Sequence, residues 1–213
     1  GEVMIRLRHG GAEAAAVTGA APSIPRARAQ GVPTLKMPTA RGWEGDERPV
    51  AAPGLAVNAF ARGLKHPRWL LVLENGDVLV AESVSIAGGA HSLRDYAMKV
   101  TMQRAAATGK NANRISLLRD ADGDGVAEAR HDYLTGLNQP FGMAQVGETF
   151  YVGNTDALVA FDYQPGATSL TGPGRKLYAM KPAGHWTRSL LPSADGTKLY
   201  IGVGSQSNIG DDG

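Results

Sequence analysis

The stretch GLKHPRWLLVLENGDVLVAE, residues 63–82, carries the pattern that decides the fold. Its apolar run from Leu70 to Leu73 is followed by the turn sequence Asn75-Gly76-Asp77 and by a second run from Val78 to Glu82. Two short runs of strand-forming residues joined by an Asn-Gly turn are typical of an antiparallel β-hairpin. The stretch therefore predicts two paired strands.

The hairpin pattern recurs twice further along the chain. The second copy runs from Gly136 to Asn154 and the third from Gly184 to Gly204, each with a glycine-containing turn in its middle. Two more strand candidates lie between the copies, Arg114 to Leu118 and Ala157 to Phe161. The repeat therefore predicts that each hairpin belongs to a four-stranded antiparallel sheet.

The spacing of the copies is typical of a β-propeller, in which such sheets repeat as blades. Copies two and three begin 48 residues apart and copies one and two begin 73 apart, against a usual blade length of about 40 to 50 residues. The excess predicts an inserted helix at about residues 91–108, where Leu93, Tyr96, Ala97 and Val100 share one helical face. We therefore predict an all-β fold in which residues 56–213 form the N-terminal portion of a propeller, about its first three blades.

Residues 1–55 are predicted to be an extended lead-in that stands outside the repeat. They hold six of the 12 prolines, together with many alanines and glycines, and show no sustained period of a helix or strand. The chain would then be a fragment, because propellers close with roughly four to eight blades.

Charge and hydropathy exclude several classes of partner. The 22 basic and 20 acidic residues are spread along the chain without a basic block, so nucleic acid is not an expected partner. No apolar run approaches the roughly 18 residues of a membrane span, and the first residues lack the apolar core of a signal peptide. The absence of cysteine excludes disulfides, thiolate metal ligands and a cysteine nucleophile.

The entry into the third hairpin contains the residues best suited to chemistry. His185 is suited to act as a general base near neutral pH, and Arg188 supplies a fixed cation for a developing anion. In a purely structural interpretation, His185 bonds a neighbouring loop, Trp186 fills a blade interface and Arg188 pairs with a carboxylate. The spacing alone leaves both interpretations open.

Other polar residues lie at strand ends, where they would face the central channel of a propeller. Glu82, Gln139 and Asn154 are the candidates for binding a ligand there. Polar residues at strand ends also serve as turn caps or are simply solvated.

The segment Asp120-Ala121-Asp122-Gly123-Asp124-Gly125 resembles the first half of a calcium-binding loop. Alternating carboxylates around glycines direct oxygen ligands inward, and Glu128 follows four residues after Asp124. Asp120, Asp122, Asp124 and Glu128 are the candidate Ca²⁺ ligands. The alternative is an acidic turn whose Asp and Gly residues serve backbone geometry.

The chain resembles the glucose/sorbosone dehydrogenases, and most closely their L-sorbosone dehydrogenase branch. The resemblance covers about residues 56–213, and it is carried by Gly63-Leu64 through Pro67-Arg68, Asn75 to Glu82, Asn113-Arg114-Ile115 with the 120–125 loop, Gln139 to Ala144, and Gly184 to Arg188 with Gly202 to Ser205. It implies a six-bladed β-propeller that uses pyrroloquinoline quinone (PQQ) and Ca²⁺. It also implies a bacterial enzyme, periplasmic or secreted, that oxidises a sugar hydroxyl or hydrated aldehyde.

The same resemblance implies roles for individual residues. His185 would take the substrate proton while hydride passes to the quinone, and Arg188 with polar side chains such as Glu82, Gln139 and Asn154 would hold the cofactor. The family's quinone-bound Ca²⁺ is held by loops of later blades, so the 120–125 loop would be a separate, structural site. A non-catalytic propeller that binds carbohydrate or protein, or a Ca²⁺-dependent lactonase propeller, is the alternative.

Overall fold

The computed structural model describes residues 20–23, 39–85, 93–105, 109–182 and 185–204. The chain divides into two compact units, Gly1–Lys36 and Met37–Gly213. Of the first unit, residues 20–23 are described, and they are exposed and irregular. Most of the predicted lead-in therefore lies outside the described residues. Its other described part, residues 39–55, consists of turns and irregular backbone.

The regular structure described in the second unit is almost entirely β. Ten strands and one helix occur in its described residues: β1 Pro67–Val72, β2 Val78–Glu82, α1 Leu93–Arg104, β3 Arg114–Arg119, β4 Ala129–Leu134, β5 Met143–Val146, β6 Thr149–Gly153, β7 Ala157–Asp162, β8 Arg175–Ala179, β9 Arg188–Pro192 and β10 Leu199–Val203.

All three predicted hairpins are confirmed. Strand β1 pairs antiparallel with β2, β5 with β6, and β9 with β10. The register of the first hairpin places Val72 opposite Val78, so the five residues between them make the turn that the Asn-Gly sequence predicts. Local turn chemistry and short runs of strand formers are sufficient to specify these pairs.

The prediction of a six-bladed propeller is wrong for this structure. The described strands form three antiparallel sheets, with the strand orders β1-β2-β3-β4, β5-β6-β7-β8 and β10-β9, and none of the sheets closes into a ring. Two of them have the four strands expected from the repeat, and the third has two. A repeat of hairpins specifies local pairing, whereas the number of sheets and their closure depend on contacts between sheets.

The first two sheets pack face to face around one apolar core. Strand β6 shows how the alternation of a strand builds it, because Phe150 and Val152 point into this core while Tyr151 points to the opposite face. The fully or nearly fully buried members are Leu73, Leu79, Ala81, Ile115, Leu117, Tyr133, Leu134, Leu137, Met143, Phe150, Val152, Phe161 and Leu170. Strands β5 to β7 of the second sheet are thus covered on both faces, since the third sheet packs on the other, whereas β8 is exposed.

The third sheet approaches the second closely because two glycines leave room for it. A Cβ atom at Gly142 or at Gly153 would lie 2.5 Å from the carbonyl oxygen of Arg188. The Gly142 amide instead donates a hydrogen bond of 2.9 Å to that same oxygen. The start of β9 is therefore held against β5 and β6, with Leu190 in a smaller core beside Ala144 and Leu158.

Helix α1 lies within the segment where the sequence predicts a helix. Of its predicted apolar face, Val100 is half-buried and Tyr96 is 61% exposed, while the side chains of Leu93 and Ala97 lie outside the described residues. Among the residues described, no helix has the length and apolar character that a membrane span requires.

Candidate functional site

The segments that lead into β1, β5 and β9, called the entries of the three sheets, lie side by side, because β1 contacts β5 and β5 contacts β9. One aromatic ring from each entry forms a continuous row. Trp69 and Phe141 have ring centroids 5.2 Å apart, and Phe141 meets Trp186 edge-on at 5.8 Å. Such tilted and edge-to-face contacts stabilise aromatic pairs beyond the area they bury. The row joins residues that are more than 110 positions apart in the sequence.

Arg68 lies at the end of this aromatic row. Its guanidinium carbon is 5.6 Å from the centroid of the Trp186 ring, within the range of a cation–π interaction. Its Nε donates a hydrogen bond of 2.9 Å to the carbonyl oxygen of Ser83. The first and third sheets therefore place a cation and an aromatic face together, immediately beside His185.

Three residues other than glycine adopt left-handed backbone near these entries. His66, Asn113 and Gln139 have φ angles of 53°, 51° and 47°. Such conformations are uncommon outside glycine and cluster at sites where the surroundings hold them in place.

The residues just after β2 form hydrogen bonds that hold these strained entries in place. The Ser83 amide donates to the His66 carbonyl, and the Val84 carbonyl accepts from the side-chain amides of Asn111 and Gln139 at 2.6 and 3.0 Å. Gln139 is buried, and its backbone amide also donates to Asn113 Oδ1 at 2.9 Å. Its polar atoms therefore support the backbone of the entries.

His185 precedes β9 and is exposed. Its Cβ lies so close to Gly204, at the end of β10, that a Cβ atom on Gly204 would overlap with it. The predicted Gly-Val-Gly segment thus has a physical role, since a glycine at 204 lets the His185 loop lie against the end of the neighbouring strand. Gly184 lies outside the described residues.

Arg188 is buried, with 1% of its surface exposed, and it holds the loop that carries His185. Its Nη1 donates to the carbonyl oxygens of His185 and Thr187 at 2.8 and 2.9 Å, and its Nη2 donates to that of Lys181 at 3.0 Å. Burial lowers the pKa of the guanidinium from its ordinary value. A guanidinium nevertheless stays protonated in proteins, so Arg188 is a buried cation.

Two buried polar atoms at this interface have no hydrogen-bond partner among the described residues. They are Arg188 Nε and Asn154 Oδ1. Asn154 follows Gly153, whose backbone packs against Arg188. Buried polar groups are nearly always paired, so this interface has unused capacity for a donor and an acceptor.

Glu82 occupies a different environment, inside the first sheet. Its fully buried carboxylate forms ion pairs with Arg114 and Arg130 at 2.9 and 3.0 Å and accepts hydrogen bonds from the Ser116 hydroxyl and the Lys65 amide. Burial acts to raise the pKa of Glu82, but these hydrogen bonds, that of Arg114 foremost, hold it below its usual value. The Glu82 carboxylate therefore stabilises the first sheet.

Glu82→Gln is expected to lower the free energy of unfolding by about 3 kcal/mol at pH 7, because it leaves two guanidinium groups without their shared carboxylate. The pKa of Glu82 is lowered in the folded state, so its contribution is present above the unfolded pKa of about 4.3 and is lost as pH falls through the folded value. Urea unfolding of wild type and variant at pH 7 and near pH 2.5 measures the loss of unfolding free energy and its pH dependence. The exposed Glu148→Gln is the control, with a change within about 0.5 kcal/mol. An equal effect of Glu82→Gln at both pH values would contradict the assignment.

The acidic loop lies at the end of the first sheet opposite to the His66, Asn113 and Gln139 segments. Strand β3 begins at Arg114, next to Asn113, and ends at Arg119, next to Asp120. One carboxylate oxygen each from Asp120, Asp122, Asp124 and Glu128 lies within 4.8 Å of the others. Backbone amides already donate to these groups, among them those of Gly123 and Gly125 to Asp120 at 2.7 and 2.9 Å. The candidate metal ligands thus come together, away from the His185 entry.

The sequence pattern alone did not identify the aromatic row or the role of Arg68. Trp69 and Phe141 were treated as parts of the repeat, and only Trp186 was singled out. A signal was available, because an aromatic residue stands near the start of each copy. An exposed imidazole, an aromatic face and the Arg68 guanidinium can together bind a planar anionic ring and accept a proton from a ligand hydroxyl.

Known proteins are similar to this chain in sequence pattern and in fold. The family model described as TrAA12-like matches residues 49–213. The fold is similar to the iodide structure of the Family AA12 carbohydrate-active enzyme of Trichoderma reesei, with 21% identity, a TM-score of 0.55, and coverage of 75% of this chain and 35% of that one. The calcium structure of that enzyme matches with the same values.

The holo form of the pyranose dehydrogenase PQQ domain from Coprinopsis cinerea is a further structural match. It is 19% identical, with a TM-score of 0.50 and coverage of 70% of this chain and 30% of that one. The chain thus spans about a third of the length of the solved structures it matches. No curated protein sequence matches it, and none of these relatives is described as a sorbosone dehydrogenase.

Proposed function

The chain belongs to the TrAA12-like family, and from this membership and the geometry of the His185 entry we propose that it is part of a PQQ-dependent sugar oxidoreductase. The proposed substrate is a sugar hydroxyl or hydrated aldehyde, with sorbosone and aldoses as the first compounds to try. The proposed location is periplasmic or secreted. The observation that carries the proposal is the juxtaposition of His185 and Trp186 with Arg68 and the buried Arg188.

The residues present are compatible with PQQ. The cofactor is a planar aromatic quinone with three carboxylates, so it requires aromatic faces and fixed positive charge. Trp186 supplies the face and Arg68 an accessible charge, while the buried Arg188 adds positive charge behind the His185 loop. The unpartnered Arg188 Nε and Asn154 Oδ1 add one donor and one acceptor. Of the predicted cofactor contacts we retain Arg188 and Asn154, whereas Glu82 and Gln139 support the surrounding backbone.

The chemistry that PQQ supplies when bound is two-electron oxidation, with acceptance of a hydride from a carbon bearing a hydroxyl. In the proposed mechanism His185 removes the proton of that hydroxyl at an imidazole nitrogen. Arg188 positions His185, because three carbonyl oxygens of the loop bind its guanidinium. Arg68 and Trp186 orient the cofactor through charge and ring contact.

Reconstitution tests the proposed function directly. The full-length protein, supplied with PQQ and Ca²⁺, should reduce an artificial dye in the presence of aldoses or sorbosone and should show the absorbance of bound quinone. Apo protein and heat-inactivated protein are the controls. If there is neither quinone binding nor dye reduction, the proposal fails.

We also propose that the acidic loop binds a structural Ca²⁺ through Asp120, Asp122, Asp124 and Glu128. Carboxylate oxygens are the ligands that Ca²⁺ prefers, and four of them already lie within 4.8 Å of one another. The loop connects β3 to β4, so an ion here would hold the two strands together at their distal end.

Calcium should therefore raise the unfolding temperature of the wild type, since a ligand of the folded state stabilises it. The double variant Asp122→Asn/Asp124→Asn removes two of the four carboxylates and should weaken Ca²⁺ binding at least about tenfold. Calorimetric titration and thermal unfolding with and without chelator measure these effects. Asp162→Asn, at the exposed end of β7, is the control. If neither Ca²⁺ nor chelator changes the unfolding temperature of the wild type, the site is excluded.

A further inference from the structure

A second concave site lies beside the first sheet, outside the His185 entry. It is a cavity of about 780 Å³ lined by Leu64, Lys65, His66, Pro67, Lys110, Asn111, Ala112 and Arg114. Small-molecule sites in proteins commonly have volumes of about 300 to 1,000 Å³. None of the residues assigned to the proposed oxidoreductase site lines this cavity, so the cavity would bind its own ligand.

The walls of the cavity carry an excess of positive charge. Among the residues that the structure describes, its lining contains three basic side chains and no carboxylate. The charge of Arg114 is offset by Glu82 and Asp132, at 2.9 and 3.2 Å. Within the part of the chain that the structure describes, neither Lys65 nor Lys110 has a carboxylate at ion-pair distance. Lys65 and Lys110 are both exposed, so their ammonium groups are available to a ligand of this cavity.

The His66 side chain lies next to the backbone of the second lysine-bearing segment. Its Nε2 lies 3.3 Å from the position that a Cβ atom of Gly109 would occupy. Lys65 precedes His66 and Lys110 follows Gly109, so both lysines lie at one cavity. The left-handed backbone of His66, with φ of 53°, and the hydrogen bond from Ser83 to its carbonyl fix the first segment. Strained backbone of this kind concentrates at functional sites.

We propose that this cavity binds a small organic anion, of about monosaccharide size, through a phosphate or carboxylate group between Lys65 and Lys110. The imidazole of His66 supplies a further hydrogen-bonding group. Leu64, Pro67 and Ala112 form the apolar wall against which the carbon skeleton packs. A bare inorganic ion would leave most of the volume empty, whereas the acidic group of a larger ligand can form charge-assisted hydrogen bonds with both lysines.

Calorimetric titration of the full chain at low ionic strength tests the proposal with three probes of one size. Glucose 6-phosphate carries a phosphate, glucuronate carries a carboxylate, and glucose carries neither. At least one of the two anions should bind more tightly than glucose, and the tighter one identifies the acidic group. Equal affinity for all three probes, or binding of none, would overturn the proposal.

Paired substitutions then locate the binding. Lys65→Gln/Lys110→Gln should weaken binding of the anion at least about tenfold, because two charge-assisted contacts are lost. Lys65→Arg/Lys110→Arg keeps the charge and should stay within about threefold of wild type, which separates a charge effect from misfolding. Lys176→Gln/Lys198→Gln changes the net charge equally at exposed lysines outside the cavity. An equal loss in this control pair would assign the effect to overall charge and refute the site.

Discussion

Replacing His185 by Ala is expected to lower kcat for sugar oxidation by about 10²- to 10⁴-fold, the usual contribution of a positioned general base. PQQ affinity should change by less than about threefold, because the cation and aromatic groups assigned to the cofactor are other side chains. His185 is exposed and precedes β9, so its removal leaves the cores intact. Steady-state dye reduction and a quinone titration measure the two quantities on the same preparation.

A matched histidine substitution controls for His185→Ala. His131 is exposed on β4, the outermost strand of the first sheet. His131→Ala should retain kcat within about twofold of wild type. If His185→Ala with bound quinone retains similar activity, His185 is not the base, and a non-catalytic ligand-binding role for this entry gains support.

Replacing Gly204 by Ala is expected to lower kcat by about 10- to 100-fold with little effect on global stability. The new methyl group would overlap the Cβ of His185 and lie 3.3 Å from its carbonyl oxygen, so the loop must move. Displacements of about 1 Å at a catalytic group can cost about 100-fold in rate. The contact involves backbone and Cβ atoms, which cannot move aside by a simple side-chain rotation.

Gly202→Ala is the matched control on the same strand. A Cβ there would first meet the Ser189 hydroxyl, and the next atom is 3.7 Å away. The hydroxyl can rotate to another staggered position, so activity should stay within about threefold of wild type. The thermal unfolding of both variants shows whether either has lost its fold. Equal losses of activity in the two variants would mean that Gly204 has no specific role in placing His185.

The hairpins were predictable because the information that specifies them is local. The turn Asn75-Gly76-Asp77 and the runs on either side are sufficient to pair β1 with β2, and the same holds for the other two copies. The acidic cluster was predictable for the same reason, since Asp120 to Glu128 are close in sequence.

The composition of the candidate site was only partly predictable. His185 and Arg188 are three residues apart, so their association could be inferred, but the partners of Arg188 could not. A buried guanidinium bound to the carbonyls of Lys181, His185 and Thr187 differs from the carboxylate pairing considered from the sequence. Glu82 shows the converse, because its burial among Arg114 and Arg130 depends on β3 lying beside β2 and on β4 lying beside β3.

The sequence by itself determined the strands, their hairpin pairing and the acidic loop, because turn propensity, alternation and close spacing act over a few residues. Tertiary structure alone decided that three sheets form without closing, that Trp69, Phe141 and Trp186 make one row with Arg68, and that Lys65 and Lys110 share a cavity. These features join segments tens of residues apart. Their energies depend on packing and charge compensation between sheets, which no local pattern encodes.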